Sequence, residues 1–248
     1  MAISVNTVYT TVLYLLNKEQ RGYMTPSEFN SIATQVQREI FNRYFEDLNQ
    51  QLRVPQADVD YSDRIAAIDE KISIFKTLAE PVFGPDAGGT PPRPFFRLPS
   101  DLYKLGTVVY SSNGSTQVEL ERLSRSSFYN IQKSPLTIST TTFPTYLYEN
   151  GRLYVSPSSI STTGEINVDY LRTPNDPRWN FTIGTLGQYS FIEPTAANNP
   201  SLDFELLSSE QTTVIIKILF YAGLVIEDPT VIQVAAQQIQ NQQQNSKS

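Results

Sequence analysis

The chain of 248 residues contains no histidine and no cysteine, and only one tryptophan and two methionines. Without histidine it has no imidazole to activate a serine or cysteine nucleophile, to shuttle protons, or to serve as the commonest zinc ligand. Without cysteine it has no disulfide, no thiolate metal site and no thiol nucleophile. That composition suits a reducing compartment. Basic residues are scarce as well, 19 against 25 acids for a net charge of −6. This is the wrong balance for a protein that grips nucleic acid by neutralising phosphates. Long apolar runs are also missing. The richest, "TVIIKILFYAGLVI", is 14 residues long and contains Lys217, whereas a bilayer span needs roughly 20. The start, "MAISVNTVYTTVLYLLNKEQ", has neither a basic leading region nor a small-residue cleavage site. A soluble, intracellular product with no membrane partner is expected.

What is present is enough for a core: 40% of residues are apolar and 11% aromatic, over a length that allows one large domain or two modest ones. Charge is unevenly placed. Residues 1–92 carry 8 basic and 12 acidic side chains, 93–178 carry 9 and 7, and 179–248 carry 2 and 6. The two ends are therefore acidic and the middle is nearly neutral.

The ends read as helix. Val5, Val8, Tyr9, Val12, Leu15 and Leu16 recur at helical spacing, with Gly22 as a stop. In "YMTPSEF", Thr25 is an N-cap, Pro26 fits the first helical position, and Glu28 completes a capping box. Met24 and Phe29 fall at the two positions of a hydrophobic staple. The stripe then runs through Ala33, Val36, Ile40, Tyr44 and Leu48. A third helix is expected from Asp60 or Ser62, with Ile65, Ile68, Ile72, Phe75 and Ala79 on its face and Pro81 ending it. A last pair starts at "SSEQ" near Ser208, read as a second capping box, and at Asp228-Pro229.

From about residue 93 the period changes to two. Asn113-Gly114 and Asn150-Gly151 each sit between strand-like runs, and Asn-Gly is the strongest short hairpin signal because both turn positions need positive φ. In the second hairpin Glu149 would face Arg152 and Tyr148 would face Leu153. "EINVDYL" alternates, with Ile166, Val168 and Tyr170 on one face. A short helix is expected around "SRSSFYNIQ". The expected fold is therefore α+β: terminal helices packed as one bundle (1–92 and 204–248), with an antiparallel β-hairpin region (93–203) inserted between them.

No catalytic, cofactor-binding or metal-binding residues are predicted. Asp58, Asp60 and Ser62 match the first calcium-loop positions, but Asp63 stands where the loop requires glycine and Asp69 where it requires a bidentate glutamate. No phosphate-binding glycine loop is present. Paired carboxylates cannot be located from spacing alone, which leaves a carbohydrate hydrolase as one alternative. Trp179 and the tyrosines read as core and sheet filling.

The tail is distinctive. Seven of the last sixteen residues are glutamine, and nothing apolar follows Ile239. Val231, Ile232, Ala235 and Ile239 make a stripe too narrow for a helix to pack alone. Together with Gln238, Gln242 and Gln243 they are the candidate subunit-interface residues, expected to pack on a neighbouring copy. An uncharged amide can lie on another surface without desolvating an ion.

Four stretches carry a likeness: "NKEQRGYMTPSEFNSIATQVQREIFNRYFEDLN", "RPFFRLPSDLYKLGTVVYSS", "FPTYLYENGRLYVSPSSI" with "GEINVDYLRTPNDPRW", and "IIKILFYAGLVIEDPTVIQVAAQQIQNQQQ". They resemble the neck ring, or head-to-tail adaptor, proteins of short-tailed bacteriophages, particularly crAss-like phages. The resemblance implies a structural, non-enzymatic virion protein made in the bacterial host cytoplasm. It would form a homo-dodecameric ring with portal and other neck or tail ring proteins as partners, around double-stranded DNA that passes without sequence-specific binding. A tail-tube protein, or a host-binding or decoration protein presenting the hairpin tips Asn113, Gly114, Asn150 and Gly151, is the structural alternative.

Overall fold

The computed structural model describes residues 2–18, 23–53, 59–84, 94–112, 116–225 and 236–241, with side chains left undescribed at 18, 50–53, 59–65, 112, 116 and 224–225. The fold is mixed α+β. It divides into two compact units, one made of 1–74 with 174–248 and the other of 75–173.

In the first unit, α1 (Val5–Lys18), α2 (Pro26–Arg53), α3 (Val59–Ser73) and α5 (Gln211–Val225) are the long helices. The expected capping box opens α2: the Thr25 amide donates to the Glu28 carboxylate at 2.8 Å, and the Glu28 amide returns to the Thr25 hydroxyl at 3.3 Å. Met24 and Phe29 are both buried, as a staple requires. The stripe of α1 (Val5, Val8, Tyr9, Val12, Leu16) and that of α2 (Phe29, Ala33, Val36, Ile40, Tyr44) are buried, as are Val214, Ile218 and Ala222 of α5. Helix α5 packs on both α1 and α2.

Two local expectations fail here. Ser208–Glu210 forms a 3-10 turn whose N-cap, Leu207, makes no side-chain cap bond. Glu210, inside that turn, pairs with Lys71 at 2.6 Å. The third helix stops at Ser73, and the residues expected to continue it form β1 (Lys76–Ala79). Ile72 and Phe75 are both buried, on either side of the division between the two units.

The second unit stacks two sheets. The four-stranded sheet has the order β1-β9-β4-β5, where β4 is Leu102–Ser112, β5 is Thr116–Glu119 and β9 is Ile166–Arg172. The five-stranded sheet has the order β2-β3-β8-β7-β6, built from Val82–Gly84, Phe95–Arg97, Arg152–Ser156, Thr145–Glu149 and Glu121–Arg122. All pairs are antiparallel except β6 with β7. Phe96, Leu153 and Tyr146 of one sheet join Val108, Ile166, Val168 and Tyr170 of the other in a single core. The alternation read in "EINVDYL" is the buried alternation of β9. The short α4 (Arg125–Ile131) is capped by Ser124, whose hydroxyl accepts from the Ser127 amide.

The Asn150-Gly151 turn has φ of 49° and 69°, and Glu149 lies opposite Arg152 and Tyr148 opposite Leu153 as expected. The charged pair is used differently from the expectation. The Arg152 guanidinium lies 4.4 Å from the centre of the Phe95 ring, while a Glu149 oxygen sits 3.4 Å from Arg125 Nε. Residues 113–115 lie outside the described residues, so the Asn113-Gly114 turn does too. The strands flanking it pair from Val109↔Glu119 to Ser112↔Thr116.

The boundaries also differ from the expectation of 93–203. The β unit begins at Phe75 and ends at Thr173, and the extended segment from Pro174 belongs with the helices; residues 85–93 lie outside the described residues. The insertion opens and closes on neighbouring strands: Lys76 is opposite Leu171, and the Arg172 amide donates to the Phe75 carbonyl at 2.9 Å. In β4 the register shifts between Leu105 and Val108. There a Cβ on Gly106 would lie 2.8 Å from the Asp169 carbonyl oxygen, so only glycine lets the two backbones approach. Gly106→Ala should cost about 1–3 kcal/mol through forced displacement, measurable as a lower chemical-denaturation midpoint.

The pH response follows from composition and burial. No histidine or cysteine is present to titrate near neutrality, so stability should stay flat between about pH 6 and 9. Burial raises the hydroxyl pKa of Tyr9, Tyr44, Tyr146, Tyr170 and Tyr221. The folded chain thus holds protons that the unfolded chain releases, and stability present below about pH 10 is lost as pH rises further. The Thr25 amide holds the Glu28 carboxyl below its usual value, so that capping contribution is lost as pH falls below the ordinary carboxylate range. Denaturant titrations across pH check both limbs.

Candidate assembly surfaces

Four features of the structure are candidates for function, and sequence reasoning located part of one.

The first is the segment 174–207, which returns from the β unit and is fastened to α1 and α2 by side-chain amides and carboxylates. Gln37 is 1% exposed. Its amide nitrogen donates to the Asn175 carbonyl at 2.6 Å, and its oxygen accepts from the Glu205 amide at 2.9 Å. The Glu205 carboxylate in turn accepts from the backbone and side chain of Asn175, each at 2.9 Å. Arg38 pairs with Asp176 at 2.9 Å. Asn30 exchanges two bonds with the Trp179 backbone, and the Trp179 indole N–H donates to Asn6 at 3.0 Å. Trp179 stacks on Phe181 and Phe191, and its ring centre is 4.4 Å from that of Tyr9.

That aromatic platform supports the second feature, the hairpin β10 (Phe181–Ile183) and β11 (Tyr189–Phe191). Its turn is ordered. The Gly184 amide donates to the Gln188 carbonyl, the Leu186 amide donates to the Gln188 side chain, and Gly187 has φ of 79°. At this ordered tip Leu186 is 92% exposed and Ile183 67% exposed. A two-stranded hairpin is marginal alone; here the stacked rings hold it. The sequence signal was weak, because "GTLGQ" lacks an Asn-Gly pair. The predicted tip Asn150-Gly151 belongs to the other unit and carries no comparable apolar side chain.

The third feature is a cleft of about 410 Å³ on α2 and α5, which meets the turn of helix at 236–241. Its floor is Glu39, Lys217, Phe220 and Tyr221, and its tail side is Ala236, Ile239 and Gln240. Lys217 is 4% exposed and forms an ion pair with Glu39. Tyr221 donates to the second Glu39 oxygen at 3.1 Å, and burial followed by the Glu39 charge raises its pKa. The buried ammonium is therefore compensated within its own unit.

The tail is expected to find its packing on another polypeptide; in the single chain its turn of helix at 236–241 lies at a cleft of its own unit. Ile239 lines this cleft together with Ala236 and Gln240. Gln238 is exposed. Val231, Ile232, Ala235, Gln242 and Gln243 lie outside the described residues, as does Asp58 of the calcium comparison.

The β unit has an apolar groove of its own, about 790 Å³, on the outer face of the four-stranded sheet, where Leu78 is 71% exposed. Lys104 and Asp169 line it with Leu78, Leu105 and Leu171. Among the described residues no helix is long and apolar enough to cross a membrane.

These features define a mixed α+β chain of two units, each bearing an exposed apolar surface. Neither a protein-family model nor a curated protein matches the sequence.

Proposed function

We propose that this chain is a structural virion protein that forms a ring in the portal-to-tail neck of a bacteriophage, connecting head and tail around the DNA channel. In this reading the helices of the two chain ends form one bundle, and the β unit is an insertion into it. The observation that carries the reading is the pair of unlike apolar surfaces: the ordered tip with Ile183 and Leu186 on the helical unit, and the groove around Leu78 on the β unit. A cyclic ring needs two different, complementary patches on each subunit. Ordered apolar surfaces of this kind mark interaction sites. The resemblance of four sequence stretches to neck ring proteins supplies the class of assembly.

Charge supports the same reading. Residues 75–173 carry nine basic and eight acidic side chains, and the rest of the chain ten and seventeen. The helical unit thus holds the whole negative excess, which suits a wall that DNA passes without being gripped. The test is the mass of the purified protein alone and with its portal. The proposal expects a monomer or mixed species alone and a dodecameric ring on the portal. A chain that stays monomeric with portal present, and binds host cells through its β unit, would overturn it.

A further inference from the structure

We infer that the tip of the β10–β11 hairpin seats in the groove around Leu78 on the β unit of a second copy of this chain, with Leu186 and Ile183 entering beside Leu78, Leu105 and Leu171. The inference rests on the ring reading for the claim that copies meet head to tail. The match between the two surfaces rests on three observations.

The first is form. The tip is an apolar knob whose turn is closed by its own backbone and by the Gln188 side chain, so docking costs little ordering. The groove measures about 790 Å³, within the span of clefts that bury a compact ligand, about 300–1,000 Å³. Leu186, Ile183 and Leu78 are all exposed in the single chain. Strand β1, which carries Leu78, stands at the edge of its sheet, and an edge is where a second chain most readily adds.

The second is charge. Residues 179–192 contain no charged side chain, so the hairpin brings no ion to be desolvated. The groove holds Lys76 and Lys104 against Asp169, and Glu193 is exposed just past the hairpin. The tip belongs to the unit with ten basic and seventeen acidic side chains, the groove to the unit with nine and eight. Tip on groove therefore brings unlike surfaces together, whereas tip on tip would oppose two acidic units.

The third is that knob and groove are different surfaces of one chain. A copy that gives its tip to one neighbour still offers its groove to another, so the contact is heterologous and propagates until it closes.

The absence of cysteine makes the test clean. Full-length chains carrying only Thr185→Cys, at the tip, are mixed with full-length chains carrying only Thr107→Cys, on the groove wall, both at exposed positions. A short bis-maleimide is added at rising protein concentration. The proposal expects covalent pairs containing one of each variant. Their yield should fall about tenfold or more, the worth of burying one leucine, when Leu186→Asp is added to the first chain. Leu78→Asp in the second chain should do the same, and circular dichroism should show both variants folded. Tip-to-tip pairs in preference to mixed ones, links only within a doubly substituted chain, pairs indifferent to either aspartate, or no pairs at all overturn the proposal. Microscopy of the same mixture with portal added separates the two readings. Closed rings without mixed pairs remove the contact and leave the ring, and mixed pairs without rings do the reverse.

Discussion

Deleting residues 229–248 leaves a folded monomer that no longer completes a ring. The expected fold of the remainder follows from where the core lies. Among the described residues every one of the largest fully buried side chains belongs to residues 3–218, and the tail brings Ala236, Ile239 and Gln240 to the cleft. Removing one partly buried aliphatic side chain costs about 1–2 kcal/mol, a small part of a stability of about 5–15 kcal/mol. The assembly loss is far larger, because a ring multiplies each missing interface by the number of subunits. Circular dichroism and melting establish the fold, and particle yield on complementation reads the assembly. Truncated protein that still completes particles at normal yield would show that the tail has no part in joining copies.

Gln37→Leu lowers stability by about 2–4 kcal/mol, the largest single-residue effect expected. The leucine fits the volume but strands the Asn175 carbonyl and the Glu205 amide in a place where Gln37 is 1% exposed. A buried polar group left without a partner costs about 1–3 kcal/mol. For a chain of this length each kcal/mol moves the melting temperature by about 2–4 °C, so a drop of roughly 5–15 °C is expected. Gln37→Glu distinguishes this cause from packing. It keeps the shape and the acceptor for Glu205 while replacing the donor to Asn175 with a charge beside Glu205, and it should be at least as damaging. A variant with near-normal melting would mean that segment 174–207 is held by its aromatic stacking alone.

The contrast between these two sites shows what a single sequence reveals. Signals that are local in chemistry were legible. The Thr25–Glu28 box, the Asn150-Gly151 turn and the alternation of β9 each depend on residues within a few positions, and each formed as read. The errors arose where a distant partner decided the outcome. Lys-Thr-Leu-Ala at 76–79 continued a helical stripe in one dimension, but β9 offered a ladder of backbone bonds from Lys76↔Leu171 to Ala79↔Val168. The box read in "SSEQ" did not form, and Glu210 within it pairs with Lys71, 139 positions away. Gln37 looked like one more polar residue on α2, because its partners are 138 and 168 positions away.

The candidate surfaces were legible in the same partial way. The amide-rich tail stood out by composition, but its cleft on α2 and α5 required residues 39, 217 and 221 to be brought together by folding. The tip at Leu186 was missed because its turn is shaped by Gly184, Gly187 and Gln188 rather than by an Asn-Gly pair. Its exposure is created by the stack of Trp179, Phe181 and Phe191 beneath it.

Electron cryomicroscopy of the particle that incorporates this chain tests the central claim most directly. The account predicts a closed ring of copies between portal and tail, coaxial with the DNA channel. Copies scattered singly on the capsid exterior, or an asymmetric enzyme-like placement away from the channel axis, would contradict it.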